Sequence, residues 1–284
     1  MQFVSFKHGG RARYGVVKDG GVIDATDRLA DRFTNLRDVI EGEALLELAP
    51  MADHGEPDVG LDDIEYLFPI TAPSKIFCIG RNYRAYHEVL EDGGEPEYPS
   101  VFPRYLNGFV PNGGVILKPK ASDQLDYENE IGVVIGKRAR HVGEEDALSC
   151  VAGFTVVNEG SVRDWQTKGT QNCPGKNFYR SGSIGPWMVT PDHLPDLDDV
   201  RIVTRRNGEV VQDGTSDMMI CKIPFLISHI SKFTELEPGD LIATGSPGGS
   251  IIEGEEPKNW LKAGDELEFE IEGIGVLKNT VADE

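Results

Sequence analysis

The sequence predicts a mixed α+β protein in which strands outnumber helices. Three observations carry that expectation. Apolar runs of strand length recur between glycines, as in Glu130-Ile131-Gly132-Val133-Val134-Ile135-Gly136 and in Ala152 to Val157. Glu266 to Glu272 alternates strictly, which places Leu267, Phe269 and Ile271 on one face of a half-exposed strand. Helical spacing is convincing at one place, where Ile223, Leu226, Ile227, Ile230 and Phe233 form a stripe and Pro224 falls in the first turn. Helices and strands do not alternate regularly, so a doubly wound parallel sheet is disfavoured. With 284 residues, 39% of them hydrophobic and 27% charged, the chain can bury a sizeable core without disulfides.

Along the chain, residues 1–24 read as short strands, Phe3 to Phe6, Tyr14 to Val17 and Val22-Ile23, with a turn at Lys18-Asp19-Gly20-Gly21. Residues 25–66 read as weaker and partly helical. Pro69 and Pro73 flank the entry to an apolar strand, Lys75 to Ile79, and give the best boundary signal. A small N-terminal module over 1–70 and a larger one over 71–284 are therefore expected.

Charge and composition exclude several functions. The formal net charge is −20, from 48 acidic against 28 basic residues, which argues against a nucleic-acid or anionic-membrane partner. No apolar run approaches the roughly 20 residues of a membrane-spanning helix, and MQFVSFKHGGRARYG has no signal-peptide core, so a cytoplasmic protein is expected. The cysteines at 78, 150, 173 and 221 form no CxxC pair and read as reduced thiols. The six histidines contain neither HxxxH nor HExxH, so any metal must be held mainly by oxygen.

Four segments could carry chemistry. In Asp126-Tyr127-Glu128-Asn129-Glu130, the two glutamates lie two apart at the mouth of an apolar strand and share a face. Such a pair repels unless a cation or a proton intervenes, and hard cations such as Mg²⁺, Mn²⁺ or Ca²⁺ suit it; a solvated edge is the alternative. An apolar strand from Gly153 breaks into a polar stretch able to present Glu159, Arg163 and Gln166, or is an ordinary strand end. Lys176 is a substrate-binding cation or a surface lysine. After Gly80-Arg81-Asn82-Tyr83, a helical continuation would bring His87 and Glu91, four residues apart, into the pairing of a general base, unless both lie on a solvated helix. The loop Thr244-Gly245-Ser246-Pro247-Gly248-Gly249 offers amides and hydroxyls to a carboxylate, but it is neither a P-loop nor a dinucleotide-binding turn.

Together and in this order, GRNYRAYH, DYENEIGVVIGKRAR, VAGFTVVNEGSVRDWQ, PGKNFYRSGSIGPW, RRNGEVVQDGTSDMMICKIPFLISHIS and LEPGDLIATGSPGG resemble the fumarylacetoacetate hydrolase family in its compact prokaryotic-type form. The resemblance runs from about residue 73 to 281. It implies a mixed β-roll with few helices, a homodimer, and a divalent metal held by Glu128, Glu130 and Glu159. The metal would be Mg²⁺ or Mn²⁺, with Ca²⁺ possible. Glu159 departs from the family's usual aspartate. Arg163, Gln166, Lys176 and Thr244 match substrate-contacting positions, with Tyr83 and Gly245 beside them. His87 and Glu91 match the catalytic His/Glu pair, although an extra residue precedes His87 and Glu88 stands next to it. The implied activity is metal-dependent hydrolysis of a C–C bond in a 2,4-dioxo acid, an acylpyruvate or fumarylpyruvate, through an enolate, as in the breakdown of aromatic or sugar-acid compounds. Decarboxylation, hydration or isomerisation of an oxo acid would keep the enolate and change its fate. A relative that only binds metal or oxo acids is the remaining alternative.

Overall fold

The computed structural model describes residues 1–84, 96–194 and 196–284. The fold is mixed α+β and dominated by one twelve-stranded sheet. The N-terminal hairpin, Gln2–His8 with Arg11–Lys18, lies at one side of it, extended by Gly21–Asp24 and Val59–Gly60. Next to Gln2–His8, the sheet continues through Gly182–Val189, Val151–Asn158, Asn129–Ile135, Leu241–Ala243, Ile76–Gly80 and Ser100–Pro103. A second sheet of five strands orders Glu209–Thr215, Arg201–Arg206, Glu266–Ile271, Gly275–Asp283 and Val115–Lys118.

Why residues 131–135 show no polar alternation is now plain: every residue of the strand Asn129–Ile135 is buried. Ile131, Val133 and Ile135 face one core cluster, with Leu226, Ile227 and Ile230 of the helix Ile223–Phe233. Val134 faces the other, with Phe3, Tyr14 and Met188. A strand covered on both faces needs hydrophobic residues at every position. Glu266–Ile271 shows the contrasting case, with Leu267, Phe269 and Ile271 inside and the glutamates between them less buried. Phe233 departs from the expected helix stripe. It is exposed at the helix end, its ring set edge-on against Phe77 with centroids 6.1 Å apart.

The expected N-terminal strands form, and the turn joining two of them carries positive φ at Asp19 (48°) and Gly20 (77°), the geometry that fits a tight hairpin. Gln2 and Phe3 pair with Val189 and Met188, so the segments on either side of residue 70 share a sheet and a core. Within residues 25–66 the helical content is two short helices, Leu36–Glu41 and Ala49–His54, with 3₁₀ turns.

Gly160 sets how closely two of the central strands end together. A Cβ there would stand 1.9 Å from the Ser181 carbonyl oxygen, so the backbone would have to move. Gly160→Ala is expected to lower stability by about 2 kcal/mol or more, read from urea unfolding. A midpoint equal to wild type would show that the 158–161 turn is not the fixed element described here.

Candidate metal and substrate site

The site is built where three strand ends meet. Asn129 pairs with Asn158 and Glu130 with Val157, so the acids flanking the two strands converge at one end. Asn158 Oδ1 accepts from the Glu128 amide at 3.1 Å, and the Glu159 amide donates to the Glu128 carbonyl at 2.8 Å. Carboxylate oxygens of Glu128, Glu130 and Glu159 thereby lie within 4.8 Å of one another. Glu130 and Glu159 are only 1% exposed, which excludes the solvated-edge alternative for this motif.

Cations and dipoles surround the acids unevenly. The buried Lys176 ammonium donates to Glu128 Oε2 at 2.5 Å and to Glu159 Oε2 at 2.8 Å. Ser161 Oγ donates to Glu128 Oε2 at 2.5 Å, and an Arg163 terminal nitrogen stands 3.2 Å from Glu128 Oε1. Burial opposes the charge on Glu128, but Arg163 and Lys176 outweigh it and hold the carboxyl down at about 2. Glu130 receives the Gly245 amide at 2.8 Å, and burial together with the charges of Glu159 and Glu128 pushes it well above the usual carboxylate range. Burial, reinforced by Glu128, also raises Glu159 despite Lys176. Glu159 Oε1 has no hydrogen-bond partner among the described residues. The buried Arg104 guanidinium stands 3.7 Å from that oxygen. Three acids with an unsatisfied oxygen and too little positive charge fit a further cation, and an all-oxygen set suits a hard divalent ion.

The acids open into a cleft of about 280 Å³, at the small end of the roughly 300–1,000 Å³ usual for small-molecule sites. Lys176, Arg163 and Gln166 line it with the three glutamates. Gln166 Oε1 accepts from Arg163 at 3.0 Å, which helps fix the guanidinium. Thr244, Gly245 and Tyr83 are buried and are not among the residues lining the cleft. Gly245 reaches the site through its amide bond to Glu130. Burial and the nearby Glu130 raise the Tyr83 hydroxyl far above its ordinary range. His87, Glu91 and the neighbouring Glu88 lie outside the described residues.

Several residues at the site were not singled out from the sequence. Asp126, fully buried, accepts from Arg163 Nε at 2.8 Å and from the amides of Ile251 and Ile252 at 2.9 and 3.1 Å. Its signal was present in the same-side spacing with Glu128 and Glu130. Arg104 donates to the Gly160 carbonyl at 3.1 Å and to Ser181 Oγ at 3.1 Å, tying the Glu159 turn to a neighbouring loop. It is 55 residues from Glu159 in sequence, and no local pattern connects the two. Arg81 lines the cleft at a positive φ of 57°, beside Asn82, whose side chain bonds Thr244 and Cys221. A non-glycine residue held in that region stores strain, which concentrates at binding sites. Glu253 also lines the cleft.

A mixed sheet whose strand ends gather two buried acids and a half-buried third, a buried lysine and a clamped arginine into a small cleft defines an enzyme-type site for small anionic molecules. The chain belongs to the fumarylacetoacetate hydrolase family: the model of the fumarylacetoacetate hydrolase C-terminal domain matches residues 75–282. Mitochondrial oxaloacetate tautomerase FAHD2A of Homo sapiens is 38% identical over 244 residues, 85% of this chain and 77% of that protein. Among solved structures, the fumarylacetoacetate hydrolase of Exiguobacterium antarcticum superposes with a TM-score of 0.84 at 31% identity, covering 100% of both chains. The 2-hydroxyhepta-2,4-diene-1,7-dioate isomerase of Mycobacterium marinum superposes with a TM-score of 0.77 at 26% identity, covering 100% of this chain and 99% of that one. Among the described residues, no helix is long and apolar enough to cross a membrane.

Asp126→Asn tests the clamp. It removes the charge opposite a buried guanidinium, and a loss of about 3 kcal/mol in denaturant unfolding is expected. Wild-type stability in this variant would mean that Asp126 does not organise the site.

Proposed function

We propose that the protein is a divalent-metal-dependent enzyme that interconverts the keto and enol forms of a small 2-oxo dicarboxylic acid. The observation that carries this reading is the buried Lys176 ammonium beside three converging carboxylates in a small cleft. The likeness to an oxaloacetate tautomerase over 85% of the chain supports tautomerisation as the outcome. Glu128, Glu130 and Glu159 would hold the cation, which when bound supplies Lewis-acid polarisation of the 2-oxo group. Arg163, fixed by Asp126 and Gln166, would grip the substrate carboxylate. Lys176 would place its charge at the oxygen that becomes negative as C3 loses a proton, where a preformed cation in a water-poor cleft stabilises most. His87 with Glu91, from the resemblance, is proposed as an acid–base pair. The reading takes the working unit as a homodimer, on the resemblance alone, and as cytoplasmic, on composition.

A second reading keeps the enolate and adds water. Hydrolysis of a C–C bond in a 2,4-dioxo acid is favoured by the His87/Glu91 pattern and by the likeness to a fumarylacetoacetate hydrolase. The two separate in one ultraviolet assay of the purified protein against enol oxaloacetate, acylpyruvates and fumarylpyruvate, before and after chelation. Accelerated oxaloacetate keto–enol conversion, abolished by EDTA and restored by Mg²⁺ or Mn²⁺, is expected. Full turnover in protein shown metal-free by elemental analysis would sink the metal-dependent scheme, and cleavage of the dioxo acids alone would move the assignment to the hydrolase. His87→Gln is expected to lower kcat by about 10²–10⁴ with metal affinity unchanged. An unaltered kcat would return His87 to an ordinary surface residue.

Glu159 gives a test that reads binding directly. A glutamate reaches one methylene further than aspartate, and Mg²⁺ demands stricter geometry than Mn²⁺ or Ca²⁺. Calorimetric titration is expected to show a preference for Mn²⁺ or Ca²⁺ over Mg²⁺, with Glu159→Asp regaining relative Mg²⁺ affinity. If Glu159→Ala binds ions as tightly as wild type, Glu159 is not a ligand.

A further inference from the structure

We propose that Phe102 is a positioning residue for Lys176: its ring seats the Lys176 ammonium in the cleft when Glu128 and Glu159 turn to a divalent cation. The inference rests on the metal-dependent reading above. The ammonium stands over the Phe102 ring, 5.4 Å from its centroid, within the roughly 6 Å over which a ring face attracts a cation. Phe102 is 7% exposed and lines the cleft together with Lys176 and the three glutamates. An ammonium has three protons to give, and among the described residues that of Lys176 donates to two oxygens, Glu128 Oε2 and Glu159 Oε2. The electron-rich ring face is a further partner of opposite polarity.

The sheet fixes where the ring lies. Phe102 pairs with Cys78 in the strand Ser100–Pro103, at the edge of the large sheet. The Arg104 amide continues that ladder by donating to the Ile76 carbonyl at 2.9 Å. Residues 102 and 104, two apart on an extended chain, therefore share a side. One strand edge thus brings Phe102 under Lys176 and Arg104 to within 3.7 Å of Glu159.

A ring suits this task better than another charge would. A divalent cation at the three glutamates needs oxygens that Lys176 now bonds, and its charge repels the ammonium. The lysine is only 2% exposed, so an ammonium left without a partner there is costly. A further carboxylate beside Lys176 would compete for the cation, repel an anionic substrate and neutralise the ammonium. A neutral ring does none of these. It orients the charge and leaves the protons of the ammonium for a substrate oxygen that becomes negative.

Phe102 also belongs to a buried core cluster with Cys78 and Ala243, where a phenyl group could serve packing alone. Calorimetric titration of the full chain with Mn²⁺ alone separates the two roles across a cycle of Phe102→Leu and Lys176→Met. Leucine keeps an apolar side chain but has no ring face. With Lys176 present, Phe102→Leu is expected to weaken Mn²⁺ binding about three- to tenfold, and Phe102→Tyr to stay within about twofold of wild type. In Lys176→Met, where no ammonium needs a seat, adding Phe102→Leu is expected to change the affinity by less than about twofold. Wild-type affinity in Phe102→Leu, or an equal loss in both backgrounds, would overturn the assignment, the second by showing that the ring only packs. If a variant does not fold, Phe102→Met or Lys176→Gln takes its place under the same expectations. Wild-type protein that binds no Mn²⁺ overturns the metal-dependent reading and this inference with it, whereas a wild type that binds Mn²⁺ with no loss in Phe102→Leu overturns only the role of Phe102.

Discussion

Like charge forced together in a dry place is the constraint on which the rest of this structure depends. Glu128, Glu130 and Glu159 converge within 4.8 Å, and one ammonium, that of Lys176, bonds two of them. Buried acids repel strongly when the surroundings cannot solvate them, so the arrangement persists only if the backbone leaves them no way apart. Here the backbone does so through pairing: the register of Asn129–Ile135 against Val151–Asn158, and the cross-bonds of Glu128 with Asn158 and Glu159. The resulting field holds Glu128 charged and pushes Glu130 and Glu159 toward their neutral forms. A divalent cation would resolve that conflict.

Asp126 spreads this organisation beyond the acids. Itself fully buried, it faces Arg163 on one side and the amides of residues 251–252 on the other. The anion-gripping group and the far wall of the cleft therefore share one support. Arg104 does the corresponding work behind Glu159, bridging Gly160 and Ser181. Neither residue needs to meet substrate to matter, because each fixes an angle at which another side chain enters the cleft.

Much of this was legible in the chain. The apolar run at 131–135 read as a buried strand, and the alternation at 266–272 as one with an open face. The same-side spacing of Glu128 and Glu130 signalled a paired site because strand geometry is local. Phe233 keeps the helical spacing yet lies exposed, because spacing tells which side a residue is on, not where the covering element ends. Arg104 was invisible for a related reason: its partnership with the Glu159 turn exists only after the strands pair, and sequence distance hides it. Thr244 and Tyr83, grouped by resemblance with substrate contacts, are buried and are not among the residues lining the cleft.

The central claim is that the three glutamates form a cation site at which Lys176 is released to face the substrate. A crystal structure of the full chain with Mn²⁺ and oxalate, read by anomalous scattering at the manganese edge, tests it most directly. The account expects a single strong peak bounded by Glu128, Glu130 and Glu159, with the Lys176 ammonium turned toward the oxalate. A cleft with no peak at saturating Mn²⁺, and Lys176 still bonded to Glu128 and Glu159, would contradict it.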